Sequence, residues 1–119
     1  VKTLKKGETV GYGRTYRAKK LEKIAIVSVG YADGYPRLAS ADAEVLLNGR
    51  RVPTRGTISM DLMAVDCAGM EIKEGALVTL IGEQGKNRIG VWDIANWART
   101  IPYEITCGLS MRVPRVYLD

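Results

Sequence analysis

The 119 residues include no histidine and no phenylalanine. Without histidine the usual general base at neutral pH and the commonest metal ligand are both gone. Any proton chemistry falls to Tyr, Lys, Asp, Glu or Cys, or to groups from elsewhere. Cysteine occurs only at Cys67 and Cys107, far apart and without metal-ligand spacing. The expectation is two buried free thiols in a reducing compartment, the cytoplasm. No apolar run is long enough to cross a membrane as a helix. The stretch Val1–Lys6 lacks the apolar core of a signal peptide, and it starts without methionine, so a piece of a longer chain is expected. Internal repeats, low-complexity segments and linkers are absent too.

A chain of this length is most simply one domain, residues 1–119, able to bury a core without disulfides or metal. The net charge of +5 is weighted toward the N-terminal lysines, Lys2, Lys5, Lys6, Lys19, Lys20 and Lys23. Such a patch suits an anionic substrate or an acidic partner, and equally a solvated face. Glycine is plentiful, and in two places it brackets tyrosine: Val10-Gly11-Tyr12-Gly13-Arg14-Thr15-Tyr16 and Val29-Gly30-Tyr31-Ala32-Asp33-Gly34-Tyr35-Pro36-Arg37. Glycine lets backbone approach a ligand or take a turn that a side chain forbids. A phenol can donate, accept or, once deprotonated, act as a base. The plainest meaning of each stretch is a turn with an interfacial tyrosine.

Residues 10–23 read as one long strand, or two with a break. Tyr12, Arg14 and Tyr16 then share a face by alternation. Residues 23–30 read as a strand buried on both faces. The clearest local signal is Asn48-Gly49 between Glu44-Val45-Leu46-Leu47 and Arg50-Arg51-Val52, a type I′ hairpin. Pro53 restricts the returning strand to an edge or a bulge. Further strands are expected over 62–67, 76–81 and, as an edge strand, 113–118. One short helix is expected near 91–98, with 101–104 irregular. The core is expected to hold Ile24, Ile26, Val29, Val45, Leu47, Ile58, Val65, Val78, Leu80, Ile94 and Trp97, and both tryptophans are assigned to it. Short strands with Gly and Pro turns and one small helix predict a mainly β fold, a small barrel or sandwich.

Five segments, taken together, carry a resemblance. Tyr12-Gly13-Arg14-Thr15-Tyr16, Gly30-Tyr31-Ala32-Asp33-Gly34, Ser59-Met60-Asp61, Ile101-Pro102-Tyr103-Glu104 and Arg112-Val113-Pro114-Arg115 resemble, in order and approximate spacing, the C-terminal domain of alanine racemase. The resemblance covers nearly the whole chain. It implies a mostly β domain that follows an N-terminal eight-stranded α/β barrel, absent from these residues. The barrel's lysine holds pyridoxal phosphate covalently. Subunits of this family pair head to tail as homodimers, and the C-terminal domain of one covers the barrel mouth of the other.

The resemblance also implies residue roles for racemisation of alanine. Tyr12 matches the tyrosine that is one of two bases on opposite faces of the substrate, the barrel lysine being the other. A phenol serves as a base only where its surroundings favour phenolate. Arg14 is the local candidate for that if the strand is regular. Met60 matches a residue whose backbone N–H binds the substrate carboxylate. Tyr103 matches a tyrosine near the cofactor phosphate that narrows the entrance, Tyr31 a second entrance tyrosine, and Arg37 an arginine further out. Asp33 and Asp61 are assigned to turns. Two positions depart from the pattern: Thr57 stands where arginine is common, and Pro102 where asparagine is common. Two other functions compete. A small basic β-barrel could stack single-stranded nucleic acid on its tyrosines, although RNA-binding signatures are missing. A pure dimerisation domain is the third. The first reading expects neither nucleic acid nor membrane as a partner.

Overall fold

The computed structural model describes all of residues 1–119. In chain order the strands are β1 (Lys2–Leu4), β2 (Thr9–Val10), β3 (Tyr16–Arg17), β4 (Glu22–Val27), β5 (Glu44–Leu47), β6 (Arg50–Arg55), β7 (Met63–Asp66), β8 (Val78–Thr79), β9 (Gly82–Gln84) and β10 (Asn87–Ile89). Two helices follow, α1 (Val91–Trp97) and α2 (Pro102–Cys107). Six strands form one antiparallel sheet in the order β1-β4-β7-β6-β5-β8. β9–β10 and β2–β3 are separate two-stranded ribbons. The mainly β expectation holds.

The Asn48-Gly49 hairpin forms as its sequence predicts. Both residues take positive φ, 49° and 76°, the type I′ signature. The β9–β10 ribbon braces this turn: Gly49 N–H donates to Gln84 Oε1 at 2.7 Å, and Asn87 Nδ2 donates to Gly49 O at 2.6 Å. That ribbon lies at and beyond the end of the single strand expected over 76–81. Its turn, Gly85-Lys86, has positive φ at glycine alone, as type II′ requires. Pro53 does not force an edge, because β6 lies inside the sheet. Proline is tolerated there because the β6–β7 ladder includes only Thr54 and Arg55. Pro53 has only Glu44 opposite it.

The main core gathers Val45, Leu46, Leu47, Val52, Ile58, Met63, Val65, Cys67, Ile89, Ile94 and Ile105 with small residues between them. A second, small core of Leu4, Ala18, Ile24 and Ala64 lies where β1 covers β4. The two cores explain why Ile26 departs from its expected burial. β1 pairs only with Glu22, Lys23 and Ile24, so Ile26 extends past the covering strand and is exposed. Val29, Val78, Leu80 and Trp97 pack on the main core only partly buried. Trp92 is exposed, against expectation. Of the two free thiols Cys67 is buried and Cys107 is exposed.

Helix α1 starts with Gly90 N–H donating to Asp93 Oδ2 at 2.8 Å and buries Ile94 and Ala95. It ends in a Schellman pattern: Thr100 N–H to Ala95 O at 2.8 Å, Arg99 N–H to Asn96 O at 3.2 Å, and Arg99 at φ 57°. Residues 101–104 are not irregular. Pro102 occupies the first position of α2, where its missing N–H is an orphan donor anyway. Ile105 then reaches the core. Residues 113–118 form no strand.

Candidate functional site

The expected strand over 10–23 is broken at Gly11 and Gly13, which take φ 87° and 75°. Between them Tyr12 opens a 3-10 turn, Tyr12–Arg14, and its side chain is 73% exposed. Tyr12, Arg14 and Tyr16 therefore do not share a strand face. Arg14 itself lies at φ 54° and forms no side-chain hydrogen bond or ion pair. It is not the partner that the alternation expected for the Tyr12 phenol.

Backbone packing holds the Tyr12 loop in place. A Cβ on Gly11 would lie 2.7 Å from Thr57 N, so only glycine allows the loop to close on Gly56-Thr57. Thr15 Oγ1 then accepts from Thr57 N–H at 2.8 Å and lies 2.8 Å from Thr57 Oγ1. Thr57 thus fixes this loop.

The Tyr31 turn is docked the same way. Tyr31 N–H donates to Ser59 O and Ala32 N–H to Met60 O, both at 3.0 Å. A Cβ on Gly30 would lie 2.5 Å from the Met60 carbonyl, so the approach requires glycine. Asp33 Oδ2 accepts from Gly30 N–H at 2.9 Å and closes the turn, as expected of a turn-former. Ser59 Oγ bonds both ways with Leu62, to its O at 2.9 Å and from its N–H at 3.2 Å. This leaves the Met60 N–H without a partner in the chain, on a residue that is 52% exposed.

These placements bring three of the candidates together. Tyr12, Tyr31 and Arg37 line one open hollow floored by Ile58. Met60 joins them through the backbone bonds to the Tyr31 turn. Tyr103 does not line this hollow. It stands exposed on α2. Asp61 does more than fix its turn, because it accepts from Arg112 Nη2 at 2.7 Å. Sequence reasoning attached no role to Arg112, although it stands in one of the five motifs.

Tyr16 has a different character from Tyr12. Its hydroxyl donates to the Glu22 carboxylate at 2.8 Å, and the Arg55 guanidinium lies 4.9 Å from its ring centroid. Burial, and then the bond to Glu22, raises its pKa. Tyr16 is a neutral donor held in structure. Cys67 is likewise pushed up by burial and then by Asp66, which makes it a poor nucleophile. No group of three or more His, Cys, Asp or Glu side chains is placed to hold a metal. No helix is long and apolar enough to cross a membrane.

Comparison with known proteins gives a consistent result. A family model described as "Alanine racemase, C-terminal domain" matches residues 1–117. An alanine racemase from Halothermothrix orenii is 47% identical over 118 residues, covering 98% of this chain and 31% of that protein. The crystal structure of alanine racemase from Bacillus anthracis with bound L-Ala-P superposes with a TM-score of 0.93 at 42% identity, covering 99% of this chain and 30% of that one. Alanine racemase from Bartonella henselae with covalently bound pyridoxal phosphate superposes with a TM-score of 0.89 at 34% identity, covering 98% and 32%. The chain spans about a third of the length of the curated relatives it matches.

Proposed function

Because the chain belongs to the family of alanine racemase C-terminal domains, we propose that residues 1–119 are one domain that supplies a proton-transfer base and a substrate-binding edge to an alanine racemase. The observation that carries this is the convergence of Tyr12, Tyr31 and Arg37 on one hollow, with the free Met60 N–H in the turn that is bonded to the Tyr31 turn. An exposed phenol, a guanidinium and an unpartnered amide suit a small amino acid: the last two attract its carboxylate, and the first reaches a C–H proton.

Pyridoxal phosphate, when bound, stabilises the negative charge left at Cα after proton removal. This chain does not fit as its covalent holder. All eight lysines are exposed, whereas a lysine that forms a Schiff base needs desolvated surroundings. Covalent attachment would fall to an N-terminal barrel in the longer protein, and Tyr103, exposed on α2, would be the residue of this chain near the phosphate. A head-to-tail homodimer lets the hollow of one subunit close over the barrel of the other.

In this reading Tyr12 takes the Cα proton of L-alanine on one face and returns a proton there when D-alanine is the substrate. The Met60 N–H binds the carboxylate and fixes which face is presented. Tyr31 and Arg37 line the way in. The test is Tyr12→Phe in the intact enzyme. Phenylalanine keeps the ring and removes the ionisable oxygen. Racemisation is expected to fall by about two to four decades in both directions, the usual worth of a general base. Exchange of the Cα proton of D-alanine into deuterated water survives better, because the opposite base is intact. Tyr16→Phe is the control, since its hydroxyl is committed to Glu22. Equal loss of exchange from both enantiomers removes Tyr12 as a face-specific base.

A further inference from the structure

The motif Arg112-Val113-Pro114-Arg115 holds two arginines with opposite assignments. Arg115 folds back on its own segment, donating to Ser110 O, Val113 O and Leu109 O. Arg112 reaches away. Its Nη2 donates to Asp61 Oδ1 at 2.7 Å, and its Nε lies 3.4 Å from Asp33 Oδ1. Asp61 follows Met60 directly. Asp33 ends the Tyr31 turn and holds the Gly30 N–H with its other oxygen. A backbone bond from Ser110 N–H to Asp33 O, 3.1 Å, ties the same segment to the same turn.

One guanidinium therefore bridges the turn that carries Tyr31 and the turn that carries the free Met60 amide. A planar fork with several donors can serve two carboxylates at once, whereas an ammonium presents a single point charge. The Arg112 side chain is 51% exposed and that of Asp61 56%. Pairs so exposed contribute little to fold stability. Their effect lies in the relative placement of the two turns.

We propose that Arg112 is a positioning residue that sets the Met60 amide against the Tyr31 turn and so governs how well the site binds the substrate carboxylate. This rests on the reading of Met60 N–H as the carboxylate donor. A carboxylate contact made in ground state and transition state alike changes KM rather than kcat. Losing two charge contacts, one to the half-exposed Asp61 and one to Asp33, whose side chain is 15% exposed, corresponds to roughly a five- to tenfold change.

The experiment uses the intact enzyme that carries this domain. In Arg112→Gln, KM for both alanine enantiomers is expected to rise about five- to tenfold with kcat within about twofold. Arg112→Lys recovers only part of the loss, because it cannot bridge both carboxylates. Adding Asp61→Asn to Arg112→Gln costs nothing further. Affinity for propionate, which is alanine without its amine, weakens by the same factor when measured by calorimetry. An unchanged KM, a loss confined to kcat, or full recovery by lysine overturns the proposal. Should Arg112→Gln fail to fold, Asp61→Ala alone removes the same acceptor and must raise KM. Failure of the Tyr12 assignment shows separately, as full racemisation in Tyr12→Phe, and failure of the racemase reading as no racemisation by the unsubstituted intact enzyme.

Discussion

Tyr35 offers a test of how the core accommodates a polar atom. It follows the Tyr31 turn directly and is 5% exposed within the main core. Its hydroxyl is buried and has no hydrogen-bond partner. A buried, unpaired hydroxyl costs about 1–3 kcal/mol relative to its state in water. Tyr35→Phe keeps the ring and its packing and removes only that atom. Stability is expected to rise by about 1 kcal/mol, the low end of that range, and Tm by about 4 °C for a domain of this size. Differential scanning calorimetry at pH 7 on the two chains reads this directly. The pH dependence gives a second arm. Burial holds the Tyr35 phenol well above its ordinary value near 10, so the folded chain keeps a proton that the unfolded chain releases. The stability tied to that proton is complete below about pH 10 and is lost as pH rises beyond it. Phenylalanine removes this part of the alkaline loss, while Tyr16, raised in the same direction, leaves a remainder. An equal or lower Tm in Tyr35→Phe, with an unchanged alkaline limb, would refute the reasoning and indicate a partner for the hydroxyl.

Two further outcomes follow from the same geometry. Gly30→Ala places a Cβ against the backbone of Ser59 and Met60, which cannot yield as a flexible side chain can, so a loss of about 2–3 kcal/mol is expected from denaturant unfolding; a loss below about 0.5 kcal/mol contradicts the close approach. In the intact enzyme Tyr103→Asn is expected to raise serine racemisation relative to alanine by opening the entrance, and an unchanged ratio in competition assays assigns specificity to other residues.

Local chemistry was the legible part of the fold. Asn48-Gly49 specifies its hairpin within two residues, and α1 shows Ile94, Trp97 and Ala98 at helical spacing. Helix α2 was hidden because six residues are too few to show a period, and Ile105 and Thr106 are poor helix formers. Packing against the core decides there, and Pro102 at the first position was the one available sign. The β9–β10 ribbon could have been found from Gly85-Lys86 as a type II′ turn. Over 10–23 the single long strand fails and the break prevails, because Gly11 and Gly13 interrupt the alternation. Their positive φ values turn the chain out of the extended region, and glycine alone does not announce which region it will occupy. At the site, the tyrosines were visible as motifs. The bond from Arg112 to Asp61 spans 51 positions and has no local signal.

The site is organised around Gly56–Asp61 rather than around the tyrosines that first draw notice. Six consecutive residues between β6 and β7 receive the Tyr12 loop, the Tyr31 turn and Arg112. Gly56 and Thr57 take the Tyr12 loop, through the Gly11 approach and the two bonds of Thr15. Ser59 and Met60 take the Tyr31 turn. Asp61 takes Arg112. Between these contacts Ile58 is 1% exposed in the main core, and its N–H is held by Ser40 Oγ at 3.0 Å. The segment is thus anchored at its centre and docked on both sides. Tyr12 and Tyr31 are far apart in sequence and share no strand, yet each is referenced to the same few backbone atoms. Backbone-to-backbone docking fixes them more tightly than side-chain contacts of exposed phenols could, because it spends no rotamer freedom. The Met60 N–H is free while the Ser59 N–H, the Ser59 and Met60 carbonyls and the Leu62 N–H are all bonded within the chain, and an amide without an internal partner is open to an acceptor from outside.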